Sequence, residues 1–232
     1  MRAEVRETLP HDTSSFTQGL ELKDGVLYEG TGRRGRSALY AGSPGAPPIR
    51  AVALPADLFG EGITLVGDRV WQLTWQEGVA LERDARTLKE LRRVRYDGEG
   101  WGLCLQSSAE RLVMSDGSAT LTFRDPKTFA VRGTLPVTES GSPLARLNEL
   151  ECAPDGRTVY ANVWQTDRIV RIDTATGEVT ATIDASGLLT PAERTAGADV
   201  LNGIAAIPHT DEFYVTGKLW PKLFRVRFVP EG

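Results

Sequence analysis

The 232-residue chain holds only two histidines, His11 and His209, and only two cysteines, Cys104 and Cys152. It has no GxSxG elbow and no plausible Ser-His or Cys-His pair, which argues against an enzyme nucleophile of the triad type. Two cysteines outside any CxxC pattern are too few for a disulfide scaffold and are expected to be small buried hydrophobes. No apolar run approaches the roughly 18 residues that cross a bilayer. The N-terminal "MRAEVRETLP" has no apolar h-region, so the chain is expected either to be cytoplasmic or to have lost a leader and work in the periplasm or outside the cell. Basic runs are missing too, and the net charge is -4, which argues against nucleic acid as a partner. Helical periodicity is almost absent as well.

In its place are short runs rich in Val, Leu, Tyr and Thr between Gly, Asp and Pro turn signals, the pattern of an all-β protein. One unit recurs five times: a polar or aromatic residue, a small or polar one, then an aliphatic. It reads "QGL" at Gln18, "EGI" at Glu61, "WGL" at Trp101, "NEL" at Asn148 and "NGI" at Asn202. Successive anchors lie 43, 40, 47 and 54 residues apart. Four-stranded propeller blades repeat every 40 to 50 residues or so. The fifth copy has three strands before Gly232, but "VRETLP" at residues 5–10 echoes "VRGTLP" at 131–136, the fourth strand of the third copy. The expectation is a single domain over residues 1–232, a five-bladed β-propeller of four-stranded antiparallel blades. Its N-terminal strand completes the last blade and removes exposed sheet edges.

In such a blade the first strand starts, and the second ends, at the same end of the ring. That end should gather Gln18, Glu61, Trp101, Asn148 and Asn202 with Thr31, Trp75, Asp116, Trp164 and Lys218, while the other end holds mainly Asp/Gly turns. An aromatic depression with a few convergent polar groups is a candidate binding site. Glu149 and Glu151 of "NELE" resemble a carboxylate pair, but alternate along a strand and are expected to satisfy neighbouring backbone or basic groups.

The motifs "PHDTSSFTQGLE", "LFGEGIT", "GWGL", "LNELE", "ANVWQTDRIVRID", "LNGIA" and "VTGKLWPKLF" run in order through the chain. With them the sequence resembles the glutamine cyclotransferases, the plant and bacterial type of glutaminyl-peptide cyclase. The resemblance implies a five-bladed propeller that turns an N-terminal glutamine into pyroglutamate with loss of ammonia. It places the acid/base glutamate on Glu61 and pocket residues on Phe16, Gln18, Phe59, Trp75, Trp101, Asn148, Trp164 and Lys218. The Gly/Pro-rich "RRGRSALYAGSPGAPP" departs from the pattern at the rim. Arg33, Arg34 and Arg36 within it read as a solvated loop able to meet an acidic peptide.

That reaction is intramolecular, so the demand on the protein is positioning and proton transfer. Glu61 is the candidate shuttle, with Gln18, Asn148 and Lys218 placed for the developing oxyanion or the substrate carbonyls. No cofactor or metal is expected. His11 and His209 should lie at opposite ends, and counting along their strands puts Cys104 and Cys152 on opposite sides of their sheets. The partner expected is a peptide or protein with N-terminal Gln, bound by a monomer. Two other functions fit the same mouth: a non-catalytic peptide-binding propeller, and a metal-dependent lactonase or hydrolase with Glu61, Asn148 and Asn202 as ligands.

Overall fold

Short β-branched and aromatic runs cut by Gly, Asp and Pro pair most readily with neighbours a tight turn away, and apart from its first strand the chain folds into consecutive antiparallel sheets. The structure, a computed structural model, describes residues 1–195 and 197–231. β1 (Arg2–Pro10) comes first but pairs last. A first sheet follows from β2 (Thr17–Lys23), β3 (Val26–Thr31), β4 (Ala38–Gly42) and β5 (Arg50–Ala53). The second holds β6 (Gly60–Val66), β7 (Arg69–Thr74), β8 (Val79–Asp84) and β9 (Glu90–Arg95), and the third β10 (Leu103–Gln106), β11 (Arg111–Met114), β12 (Thr120–Arg124) and β13 (Val131–Pro136).

A small hairpin, β14 (Thr138–Glu139) and β15 (Ser142–Pro143), leads to the fourth sheet of β16 (Leu147–Cys152), β17 (Thr158–Val163), β18 (Arg168–Asp173) and β19 (Val179–Asp184). After the short helix α1 (Pro191–Thr195) come β20 (Leu201–Ala206), β21 (Glu212–Gly217) and β22 (Lys222–Val229). β1 lies antiparallel to β22, from Arg2 opposite Val229 to Pro10 opposite Lys222. One parallel bridge, Arg2 to Asp184, joins this group to the fourth sheet, giving the order β16-β17-β18-β19-β1-β22-β21-β20.

Burial falls from the first strand of each sheet to the last. β6 is buried along almost its whole length, whereas β9 and β13 are largely exposed. The first strands also pack on one another: β2 touches β6 and β20, β10 touches β6 and β16, and β16 touches β20. Close approach of these strands explains the small residue in the repeated triad. A Cβ on Gly62 would lie 2.6 Å from the carbonyl oxygen of Trp101, and one on Gly102 would overlap that of Asn148. Glu149 stands at the equivalent place in "NEL" and sends its carboxylate across instead, accepting from the Leu20 amide at 3.2 Å and the Ile204 amide at 2.9 Å.

Apolar side chains fill the slabs between neighbouring sheets. Leu39, Ile63 and Val70 lie between the first and second, and Val113, Leu121, Val159 and Val170 between the third and fourth. Each such side chain contributes about 1.5–3 kcal/mol on burial.

One expectation fails here. Cys104 and Cys152 form a disulfide, with Cα atoms 5.4 Å apart. Their opposite strand parities were taken to separate them. In sheets stacked face to face, one face of the third sheet meets the opposite face of the fourth, so opposite parity brings the sulfurs together.

Candidate active site

Tight turns at the ends of β3, β7, β17 and β21 and the starts of the first strands converge at one end of the molecule. They enclose a cavity of about 430 Å³ lined by Phe16, Gln18, Phe59, Glu61, Trp75, Trp101, Asn148, Trp164, Gln165, Asp199, Val200 and Lys218. All nine residues singled out in the sequence as catalytic or substrate-binding are in this lining. Three others expected at that end are not. Thr31 is buried and hydrogen-bonded to Ala38, Asp116 is exposed and caps its own turn through the Ser118 amide, and Asn202 lies behind Gln18.

Glu61 is 5% exposed. Its Oε1 accepts a 2.9 Å hydrogen bond from Gln18 Nε2, while Oε2 is buried with no partner among the described residues. Gln18 is fixed in turn, because Asn202 Nδ2 donates to its Oε1 at 3.3 Å and to the Thr17 carbonyl at 3.0 Å. Burial pushes the Glu61 carboxyl well above the usual carboxylate range; Lys218 pulls it back, and Glu99 and Glu77 push it further up.

Lys218 follows β21 on a turn with Leu219 at φ 60°, held by the bonds Lys218 N to Val200 O and Leu219 N to Ser15 O. Trp220, fully buried, packs under Gly217 and donates to the Asp199 carbonyl at 2.8 Å. The ammonium lies 4.8 Å from the centre of the Phe16 ring, a cation–π contact. Burial lowers the Lys218 pKa, against the opposing effects of Glu61 and Asp199.

The aromatic wall has two runs. Phe16 meets Phe59 edge-on at 6.3 Å, Phe59 meets Trp75 at 5.5 Å, and Trp101 meets Trp164 at 5.4 Å.

The sequence profile of the family described as Glutamine cyclotransferase matches residues 1–228. The chain belongs to this family. It is 37% identical over 231 residues to the glutaminyl-peptide cyclotransferase of Arabidopsis thaliana, covering 97% of this chain and 70% of that protein. Among solved structures it is similar to the glutaminyl cyclase of Myxococcus xanthus, at a TM-score of 0.86 and 39% identity, over 98% of this chain and 97% of the other. The β-propeller domain of Cps50 (Swd1) from Myceliophteria thermophila matches in fold alone, at a TM-score of 0.57 and 9% identity over 98% of this chain and 100% of that one.

In this family member, groups that reading the repeat did not find lie behind the cavity wall and in its lining. Glu99 accepts from both Trp75 Nε1 at 2.7 Å and Trp101 Nε1 at 2.9 Å, so one carboxylate orients two indoles. Burial raises its pKa, but the bonds from Trp101, Gln76 and Trp75 outweigh that and lower it. Gln165, Asp199 and Val200 belong to turns outside the anchors, and only their distance from strand ends could have suggested them.

At the other end, where mainly Asp/Gly turns were expected, a second cavity of about 470 Å³ is bordered by Glu21, Glu151 and the disulfide. Burial pushes the Glu21 carboxyl up to about 7 even though it accepts from the Leu65 amide. Of the two "NELE" carboxylates, Glu149 bonds to backbone as expected, and Glu151 to the Ala206 amide. His11 lies between Glu29, at 3.2 Å, and the Trp220 carbonyl, at 2.8 Å. His209 is in the turn between β20 and β21. Among the described residues no three His, Cys, Asp or Glu side chains are grouped as a metal site.

Proposed function

We propose that the chain is a glutaminyl-peptide cyclotransferase that closes N-terminal glutamine to pyroglutamate in the aromatic cavity, with Glu61 as its proton shuttle. The observation that carries the assignment of roles is the buried, unpartnered Oε2 of Glu61 in a cavity walled by indoles.

The substrate's α-amine donates to Oε2 as its nitrogen attacks the γ-carboxamide carbon. Glu61 takes the proton and the carbonyl oxygen becomes an oxyanion. When the tetrahedral intermediate collapses, the same proton passes to the leaving nitrogen and ammonia departs, so the carboxylate is regenerated without a covalent enzyme intermediate. A base is most effective when its pKa is near the working pH, and burial moves Glu61 in that direction. Gln18 fixes the other carboxylate oxygen. Lys218 and the Asn148 amide are placed to stabilise the oxyanion, a charge worth more in a site that excludes water. Trp75 and Trp101, pinned by Glu99, and Trp164 press the side chain back towards its own amine.

The fold that presents this cavity is a single five-bladed propeller working as a monomer, with β1 as the outer strand of the last blade. The mutual packing of β2, β6, β10, β16 and β20 and the pairing of β1 with β22 support that reading. Catalysis by Glu61 and Lys218 calls for no metal. The test is incubation with a Gln-initiated tripeptide amide, with and without prior treatment with a strong chelator. Ammonia and pyroglutamyl peptide should form at equal rates in both. No ammonia would refute the activity, and a loss restored by zinc would refute the metal-free mechanism.

A further inference from the structure

The cation at the bottom of the cavity has a counterpart on the rim. Arg33 places its guanidinium carbon 4.5 Å from the centre of the Phe16 ring, the ring that also receives Lys218 at 4.8 Å. The two cations are therefore less than about 10 Å apart, within one screening length at physiological salt. Their surroundings differ. Lys218 is buried beside Glu61, whereas Arg33 is half-exposed and its side chain has no hydrogen bond or ion pair among the described residues.

The neighbouring charges leave Arg33 unneutralised. Arg34 stands over Trp75 at 5.9 Å but is paired with Glu77 at 2.6 Å. Glu99 is occupied by the two indoles, and Asp199 interacts with Lys218.

The turn holds Arg33 in place. Its φ is 86°, a left-handed conformation that non-glycine residues seldom adopt. Its carbonyl accepts from the Arg36 amide at 2.9 Å and from Ser37 Oγ at 2.8 Å, and Ser37 Oγ accepts from the amide of Gly60, next to Glu61. A strained turn tied to the strand bearing Glu61 holds the Arg33 backbone beside the cavity, and the guanidinium rests over the Phe16 ring of its lining.

A peptide whose first residue fills the cavity leaves it at about 3.3–3.6 Å per residue, so its second or third residue passes the Phe16 edge of the rim. We infer that Arg33 is a specificity-determining residue that selects substrates carrying a carboxylate within the two residues after the N-terminal glutamine. That carboxylate is either an acidic side chain or the C-terminus of a short peptide. The inference rests on the cyclase reading above. A rim pair in water is worth little, so the preference is modest and salt-sensitive, about three- to fivefold at low ionic strength.

The test measures kcat/KM for Gln-Glu-Ala-amide, Gln-Gln-Ala-amide, Gln-Lys-Ala-amide and Gln-Ala-Ala with free and amidated C-termini, using wild type, Arg33→Gln, Arg33→Glu and Arg36→Glu. Ratios are taken within each variant, so a general loss of activity does not enter. Wild type should favour Glu over Gln at position two, or the free over the amidated C-terminus, chiefly through KM. Whichever arm responds identifies the source of the carboxylate. Half-molar salt should shrink the ratio, Arg33→Gln should abolish it, Arg33→Glu should invert it, and Arg36→Glu, an exposed charge on the same turn, should leave it nearly intact. Ammonia release at equal efficiency from all peptides, or ratios that follow Arg36 as strongly as Arg33, would overturn this inference alone. No ammonia from any peptide would overturn the cyclase reading and this inference with it.

Discussion

Replacing Glu61 by glutamine removes a proton acceptor and little else. Oε1 takes its 2.9 Å hydrogen bond from Gln18, an interaction that a glutamine carbonyl oxygen reproduces, and the amide nitrogen falls where Oε2 stands without a partner. A positioned general base contributes about 10²- to 10⁴-fold, which is about 3–5 kcal/mol of barrier. The expected result is a kcat at least about 100-fold lower with KM changed by less than about threefold.

Stability should move the other way. The folded-state pKa of Glu61 is raised by burial, so as pH rises through the unfolded value the unfolded chain ionises first. The group's contribution to stability is complete below the unfolded pKa and falls until the folded pKa is passed. Glu61→Gln lacks that loss, so its melting temperature relative to wild type should climb as pH rises above the ordinary carboxylate range, levelling off once the raised folded pKa is passed. Coupled ammonia detection gives the rates, and calorimetry over that rise in pH gives the melting temperatures. Turnover within about threefold of wild type in a normally folded variant would refute the shuttle.

Lys218→Met removes the cation that holds the Glu61 carboxyl down, so the acidic limb of the kcat/KM profile should move to higher pH; an unmoved limb would show that the two do not communicate. Deleting residues 1–9 strips β1 from β22 and should lower the melting temperature by about 10 °C or more in calorimetry, since 1 kcal/mol is about 2–4 °C for a chain of this size. A truncated protein that melts with the parent would disprove the structural role of that strand. Cys104→Ser with Cys152→Ser opens a 48-residue loop, for which chain entropy gives a loss of about 4 kcal/mol. A denaturant midpoint unchanged from the oxidised parent would contradict this.

Much of the sheet pattern was legible because alternation and turn residues are local. Each repeated triad lies at the start of an inner, buried strand, and the echo between residues 5–10 and 131–136 pointed to the pairing of β1 with the C-terminal strands, seen as β1 against β22. The gathering of Gln18, Glu61, Asn148 and Lys218 around one cavity followed from strand direction and the motif resemblance. What escaped depended on stacking between sheets, about which strand counting is silent. The disulfide was missed because parity was compared as though the sheets lay side by side, whereas Cys104 and Cys152 face each other across a slab. Glu99 was missed because it lies two residues before an anchor, in a loop with no periodic signal. Thr31 and Asp116 end at the mouth as strand direction implies, but their side chains bond within their own turns and do not line the cavity.

The pairing of β1 with β22 joins residues more than 200 positions apart, and Lys218 sits on the turn leading into that same β22. A nascent chain emerging from the ribosome can fold its early hairpins while the β1 segment waits for a partner made more than 200 residues later. Such long-range pairing raises contact order and slows folding. Until it forms, the β1 segment is an unsatisfied strand exposed to chaperones and to other chains. The turn that carries Lys218 into the cavity and the strand that pairs with β1 are thus one stretch of sequence. In refolding experiments, activity should return in the slowest phase, after most of the β-sheet signal in circular dichroism has recovered.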